Sequence, residues 1–193
     1  MKDPGARFES ALAAIDEANS RDPSGRELEY SRRMSAMLER FAPGAPESMR
    51  LAARAQHVER WKTPRDSYPA GRQGYLEWRT HMYGFHADTA ARLLAQAGYD
   101  AATIERVKSA VAKRRLRSDP EAQLLEDVSA LVFIEHYLEG FSRQHADYDE
   151  EKWLGILGKT WRKMSPRARE FALAGGVSIP PELVPLVKKA AGA

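Results

Sequence analysis

Residues 118–141, SDPEAQLLEDVSALVFIEHYLEGF, decide the fold. Ser118-Asp119-Pro120-Glu121 is a helix start: a side chain able to accept from free backbone N–H groups, a proline preset for the first turn, then an acid at the positive end of the helix dipole. Beyond it Leu124, Leu131, Ile134, Leu138 and Phe141 recur at the spacing of one helical face. No segment of the chain keeps a period of two with β-branched residues, as a half-buried strand would.

The same reading extends outward in both directions. Phe8, Leu12 and Ile15 mark a first helix, and Tyr30, Met34, Met37, Leu38 and Phe41 a second, with a turn-rich joint from Asn19 to Gly25. A third runs from about Pro46 to Trp61. Pro64 and Pro69 frame a loop from Lys62 to Ala70, and a long helix follows from about Gly71 to Ala97, stopped by Gly98. Asp100 caps the next, carrying Ile104, Val107 and Val111. Trp153, Ile156, Leu157 and Trp161 mark another. Ser165-Pro166 opens a short helix that Gly175-Gly176 closes, and Pro180-Pro181 opens a last one, interrupted by Pro185. The expected fold is all-α: a single-domain bundle of about eight or nine helices over residues 1–193, with no internal repeat.

Composition narrows the function. The 193 residues are 43% hydrophobic and 30% charged, a globular profile long enough for a core without staples. Cysteine is absent, which excludes disulfides, thiolate metal ligands and a cysteine nucleophile. The net charge of +3 is too small to argue nucleic-acid binding by itself. Neither an export signal nor a membrane-length apolar run stands out, so a cytoplasmic location and no membrane partner are expected.

Polar residues on apolar stripes are the candidate site. Asp127 falls in line with Leu124, Leu131, Ile134 and Leu138, where an unpaired carboxylate is costly to bury. It needs a cation, a metal or several donors; the plainer alternative is a carboxylate that caps a neighbouring helix or pairs with an arginine. His86 precedes Ala90, Leu93 and Ala97 on one face, and His57 lies on the third helix between Ala53 and Trp61. For each, a structural histidine is the alternative. His81, His136 and His145 are poorly placed to join them.

Basic residues cluster three times. Arg54, Arg60, Lys62, Arg65, Arg72 and Arg79 surround the proline-framed loop; Lys113, Arg114, Arg115 and Arg117 form a run; Lys159, Arg162, Lys163, Arg167 and Arg169 surround Ser165. The second and third read as solvated faces or helix ends. The first interleaves Trp61, Tyr68, Tyr75 and Trp78, and joins the two histidine helices. Arginine forks suit phosphate, and aromatic faces suit a base or sugar.

The order His57, His86, Asp127 on successive helices resembles the HD superfamily, whose helical bundles present histidines and aspartates to one or two divalent metals and hydrolyse phosphate esters. The likeness runs from about Leu51 to Phe141 through "ARAQHVERW", "FHADTAARLL" and "LLEDVSALVFIEHY", within a core at about 46–145. A longer run, "HVERWKTPRDSYPAGRQGYLEWRTHMYGFHADTAARLL" with "KTWRKMSPRARE", resembles a bacterial and fungal family described as a domain of unknown function, DUF4202. The superfamily's His-Asp doublet is broken: Ala87 follows His86, and Asp88 points about 200° away on a regular helix.

The resemblance implies a metal-dependent phosphohydrolase. His57, His86 and Asp127 would hold one divalent ion; Arg54, Arg60, Arg65, Arg72 and Arg79 would hold the phosphate, and Trp61 and Tyr68 a base or sugar. The partner would be a small, nucleotide-like phosphorylated molecule. The broken doublet leaves open a metal-free module on the same scaffold, binding a phosphorylated ligand without turnover. The three basic clusters leave open an RNA-associated protein.

Overall fold

The computed structural model describes residues 4–116, 118–145 and 147–192. Met1 to Asp3 and Arg117 lie outside them. Among the described residues every regular element is helical: ten α-helical segments joined by short 3₁₀ and π turns. None is long and apolar enough to cross a membrane. The chain gathers into two compact units, one up to Leu125 and one from Glu126 onward.

The first unit holds α1 (Pro4–Ser20), α2 (Arg26–Phe41), α3 (Glu47–Ala55), α4 (Gly71–Ala97) and α5 (Ala101–Val111). α1 packs on α2, α3 and α4, α3 on α2 and α5, and α4 on α5. Ile15, Met34, Met37, Leu38, Met49, Leu51, Val58 and Leu94 are sealed from solvent. Each such side chain stabilises the fold by about 1.5–3 kcal/mol over its exposed form.

The ends of α4 follow from its residues. Gly98, at φ +96°, donates to the carbonyls of Leu94 and Ala95, and Tyr99 N–H returns to Leu94, a left-handed stop. At the start, Gly74 is required by a close approach. A β-carbon there would sit 2.0 Å from the carbonyl oxygen of Pro69, a backbone atom that cannot swing aside. The same loop is tied down by Trp78 Nε1–H donating to Thr63 O at 2.9 Å. Gly74→Ala should therefore lower stability by about 1–3 kcal/mol through overpacking, read from a urea melt. A neutral result would mean the loop does not rest on α4.

The third helix departs from expectation. It ends at Ala55 rather than near Trp61. The chain then tightens into i→i−3 turns: Val58 N–H bonds Ala55 O, and Arg60 N–H bonds His57 O. Glu59 takes φ +57°, and its N–H donates to Asn19 Oδ1. His57 thus stands on a turn beyond the helix.

The second unit takes up the chain inside α6 (Pro120–Val132), which Asp119 caps by accepting from Glu121 N–H. A π-helical turn, Phe133–Tyr137, carries α6 into α7 (Leu138–Gln144), so the run expected as one helix has a break in its pitch. Then come α8 (Glu150–Lys163), α9 (Pro166–Phe171) and α10 (Val184–Ala191). Trp153, Leu157 and Trp161 form the buried stripe of α8, on which α10 packs. Pro185 sits in the first turn of α10, where its missing N–H costs nothing, rather than interrupting it.

Candidate functional site

A cavity of about 160 Å³ opens in the first unit, lined by Gln56, His57, Arg60, Tyr75, Trp78, Arg79, Met82, Tyr83, His86 and Lys113. α4 supplies one wall at i, i+3, i+4 spacing: Tyr75, Trp78, Arg79, Met82, Tyr83 and His86. The turn after α3 supplies Gln56, His57 and Arg60. The turn after α5 supplies Lys113.

Two of these contributions rest on unusual backbone. Glu59, just before Arg60, and Lys113 at φ +53° are both left-handed without being glycine. Each costs on the order of 1 kcal/mol or more and persists only where its surroundings hold it, as functional sites do. The Glu59 side chain is buried and paired with Lys62 at 2.6 Å, which anchors the turn.

The histidines are electrically neutral. His86 is 2% exposed, and its Nδ1 lies 2.9 Å from the Val58 carbonyl. A carbonyl only accepts, so Nδ1 carries the proton and Nε2 the lone pair. Nε2 is buried and unpartnered. Burial, with the Arg60, His81 and Lys113 charges, pushes the ring's pKa down to about 3 against the Val58 bond. His57 stacks on Tyr30 at 4.2 Å and lies 5.5 Å from His86, ring to ring. Burial, then Arg60, His86 and Lys113, holds its pKa well below the ordinary value. Glu27 on α2 moves the other way: burial raises its carboxyl to about 7, opposed by the Arg60 charge.

These shifts predict acid sensitivity. Below the usual histidine value of 6.5 both imidazoles take protons in the unfolded chain but not in the folded one, so stability falls as pH drops. Glu27 has the opposite sign, since its folded carboxyl keeps a proton up to about 7 and its unfolded one releases it near 4.5. Between those limits the two histidines outweigh the one glutamate, so the net dependence keeps the histidines' sign. Thermal melts at pH 7.5, 6.5 and 5.5 should show a falling midpoint only below pH 6.5. A flat profile would contradict neutral, buried rings.

The cationic side chains differ in what they already do. Arg60 lies over the Trp78 ring at 4.5 Å and Arg79 over Tyr83 at 5.3 Å, with Arg79 Nε donating to the Tyr83 hydroxyl. The Lys113 ammonium lies 5.8 Å from the same tyrosine ring. Arg54 is not in the lining. Its fork grips both oxygens of Asp16 at 2.6 and 2.8 Å and reaches Ser35. Arg65 donates to the carbonyls of Tyr68, Pro69 and Gly71, holding its own loop. Arg72 is exposed at the start of α4. Trp61 and Tyr68 also stand outside the lining: Trp61 Nε1 is buried without a partner, and Tyr68 faces His81 at 6.1 Å. Asp88 is exposed and pairs with Lys108 at 2.9 Å.

Gln56, Met82, Tyr83 and Lys113 were not expected at the site. A stripe Tyr75–Met82–His86 was available in α4, but Lys113 sat in a run that reads as a helix end. Only the packing of α5 on α3 and α4 places it here.

Asp127 belongs to the second unit. It is 3% exposed, and its Oδ1 accepts the backbone N–H of Ser165 at 2.7 Å. Ser165 Oγ in turn accepts Ala168 N–H and caps α9. The neighbouring Glu126 is buried and faces Lys163 at 3.4 Å. Among the described residues no group of three or more histidine, aspartate or glutamate side chains is placed to hold a metal ion. Within the first unit the lining offers two imidazoles, three cations and no carboxylate, a poor fit to a divalent ion.

No curated protein and no solved structure matches this chain. A family model described as a domain of unknown function, DUF4202, matches residues 9–187. That match runs from α1 into α10 and takes in every residue lining the pocket, so the chain belongs to the DUF4202 family.

Proposed function

We propose that the protein binds a small phosphorylated ligand in this pocket, its phosphoryl group among Arg60, Arg79 and Lys113, without a resident metal. One observation carries the reading: three cationic side chains and two neutral imidazoles converge on a concave site whose lining holds no carboxylate. Guanidinium forks grip phosphate bidentately, and a low-dielectric wall strengthens the attraction. The cavity holds on the order of five waters at ~30 Å³ each. That suits a phosphoryl group on a short carbon chain and falls short of a whole nucleotide. A base would lie outside, against Tyr75, which is 43% exposed at the rim.

The test is a thermal melt with millimolar inorganic phosphate, then phosphate monoesters, against chloride at equal ionic strength. Ligand at about 100 times its Kd stabilises by about 2.7 kcal/mol. A midpoint raised by phosphate and its monoesters alone supports the reading. Equal midpoints in all salts sink it.

A second reading retains the HD-superfamily likeness and a metal-dependent phosphohydrolase. What favours it is His86: Nδ1–H committed to Val58 with Nε2 open is the tautomer of a metal-ligating histidine. Against it stand the cationic lining and the use of Asp127 Oδ1 by Ser165. Elemental analysis after purification without chelator separates the two, stoichiometric metal favouring the hydrolase.

A further inference from the structure

Two residues of the pocket wall each carry a buried acceptor that no protein donor meets. His86 Nε2 carries a lone pair because Nδ1–H is spent on Val58, and the Gln56 Oε1 atom is likewise buried and unpartnered. Both residues line the cavity that holds the three cations. Buried acceptors without donors are rare in folded proteins, and two on one cavity wall beside three cations call for a donor from the cavity. The dianion of a phosphate monoester cannot satisfy them, since its phosphoryl oxygens carry no proton and only accept. Arg60, Arg79 and Lys113 answer the phosphoryl oxygens; His86 and Gln56 call for a group that donates.

We propose that the ligand of this pocket is a hydroxylated phosphate monoester, a sugar or polyol phosphate, whose free hydroxyl donates to His86 Nε2. The inference rests on the phosphate-binding reading above and narrows it. Gln56, one residue before His57 and with an amide that rotates, takes a second hydroxyl. The neutral state of His86 is what makes it a reader of hydroxyls, because an imidazolium would repel a donor and attract a second anion. A site that pairs its own buried acceptor with a ligand hydroxyl discriminates strongly against an analogue lacking it, since the acceptor is then stranded.

Glycerol 3-phosphate and n-propyl phosphate test this directly. They share charge and carbon chain and differ only in hydroxyls. Isothermal titration of the full chain should show glycerol 3-phosphate bound on the order of tenfold or more tightly. His86→Asn keeps an N–H for the Val58 carbonyl but removes Nε2, and the ratio of the two affinities should fall toward one. A wild-type imidazole ¹⁵N spectrum supplies a readout independent of the variant's folding: the His86 Nε2 resonance should move with glycerol 3-phosphate and stay with propyl phosphate. Equal affinity for the two ligands would overturn the hydroxyl assignment and leave phosphate binding standing. A preference that persists in His86→Asn, or an unmoved Nε2 resonance, would place the hydroxyl elsewhere and overturn it too. No heat with either ligand or with inorganic phosphate removes the phosphate reading and this inference together.

Discussion

Arg60→Glu is expected to cut phosphate affinity on the order of 100-fold or more, because reversing a charge in a desolvated cluster costs several kcal/mol. Arg60 lies over Trp78, and its charge is felt at Glu27, His57 and His86. A glutamate there removes one cation from the phosphoryl group and sets an anion in its place. It also stands near Glu27, whose carboxyl should then titrate higher. Relieved of the Arg60 charge, both imidazoles should titrate at higher pH, a change visible by NMR without any ligand. Arg60→Lys should lose about tenfold, since an ammonium keeps the charge but not the planar fork. Arg72→Glu is the control: Arg72 is exposed at the start of α4 and is not part of the lining, so its loss should change affinity less than threefold, a long-range screened effect. Titration calorimetry with inorganic phosphate decides. Wild-type affinity in Arg60→Glu would remove the pocket from consideration.

Asp127→Ala should destabilise the fold by about 2–3 kcal/mol, the range for a hydrogen bond to a charged acceptor with its donor left behind. The donor is Ser165 N–H, 2.7 Å from Oδ1, at the residue that caps α9. For a chain of this size the thermal midpoint should drop roughly 4–12 °C. Asp127→Asn retains a side-chain carbonyl for the same N–H and should cost about half as much or less. Melts of all three proteins with and without divalent metal distinguish the roles. Metal-independent melts with alanine worse than asparagine fit a carboxylate that anchors α9. Stabilisation of the wild type by metal, lost in both variants, would instead restore Asp127 as a ligand and the hydrolase reading with it.

Much of the helical order could be read from local residues. The Asp119-Pro120 start, the Asp100 cap and the Gly98 stop all fall where capping chemistry puts them. So do the bounds of α4, because a glycine at φ +96° ends a helix whatever surrounds it. The burial of Asp127 was legible too, since its stripe neighbours Leu131, Ile134 and Leu138 are buried with it. What it bonds was not. Ser165 lies 38 residues away, and nothing local to either residue announces the pairing.

The arginines show the same division. Arg54, Arg65 and Arg60 looked alike as members of one basic stretch. Arg54 is taken by Asp16 from another helix, Arg65 by carbonyls of its own loop, and Arg60 faces the cavity. A positive charge is a property of the residue; whether it is spent depends on which acceptors the fold brings to it. The early end of α3 has the same origin. Its sequence permits another turn, but Asn19 takes the Glu59 N–H and His86 the Val58 carbonyl, so tertiary bonds outcompete the helical ladder.

The sequence by itself determined most of the elements: where α4, α5 and α6 start, where α4 stops, which faces are apolar, and that His86 and Asp127 would be buried. Those depend on interactions within a few residues, which the order of side chains specifies directly. Only the tertiary structure decided the site: that His57 leaves its helix, that Lys113 from a turn after α5 joins Arg60 and Arg79, and that His86 Nε2 is left with a lone pair and no donor. Each of those depends on groups far apart in the chain, and their meeting is set by how helices pack.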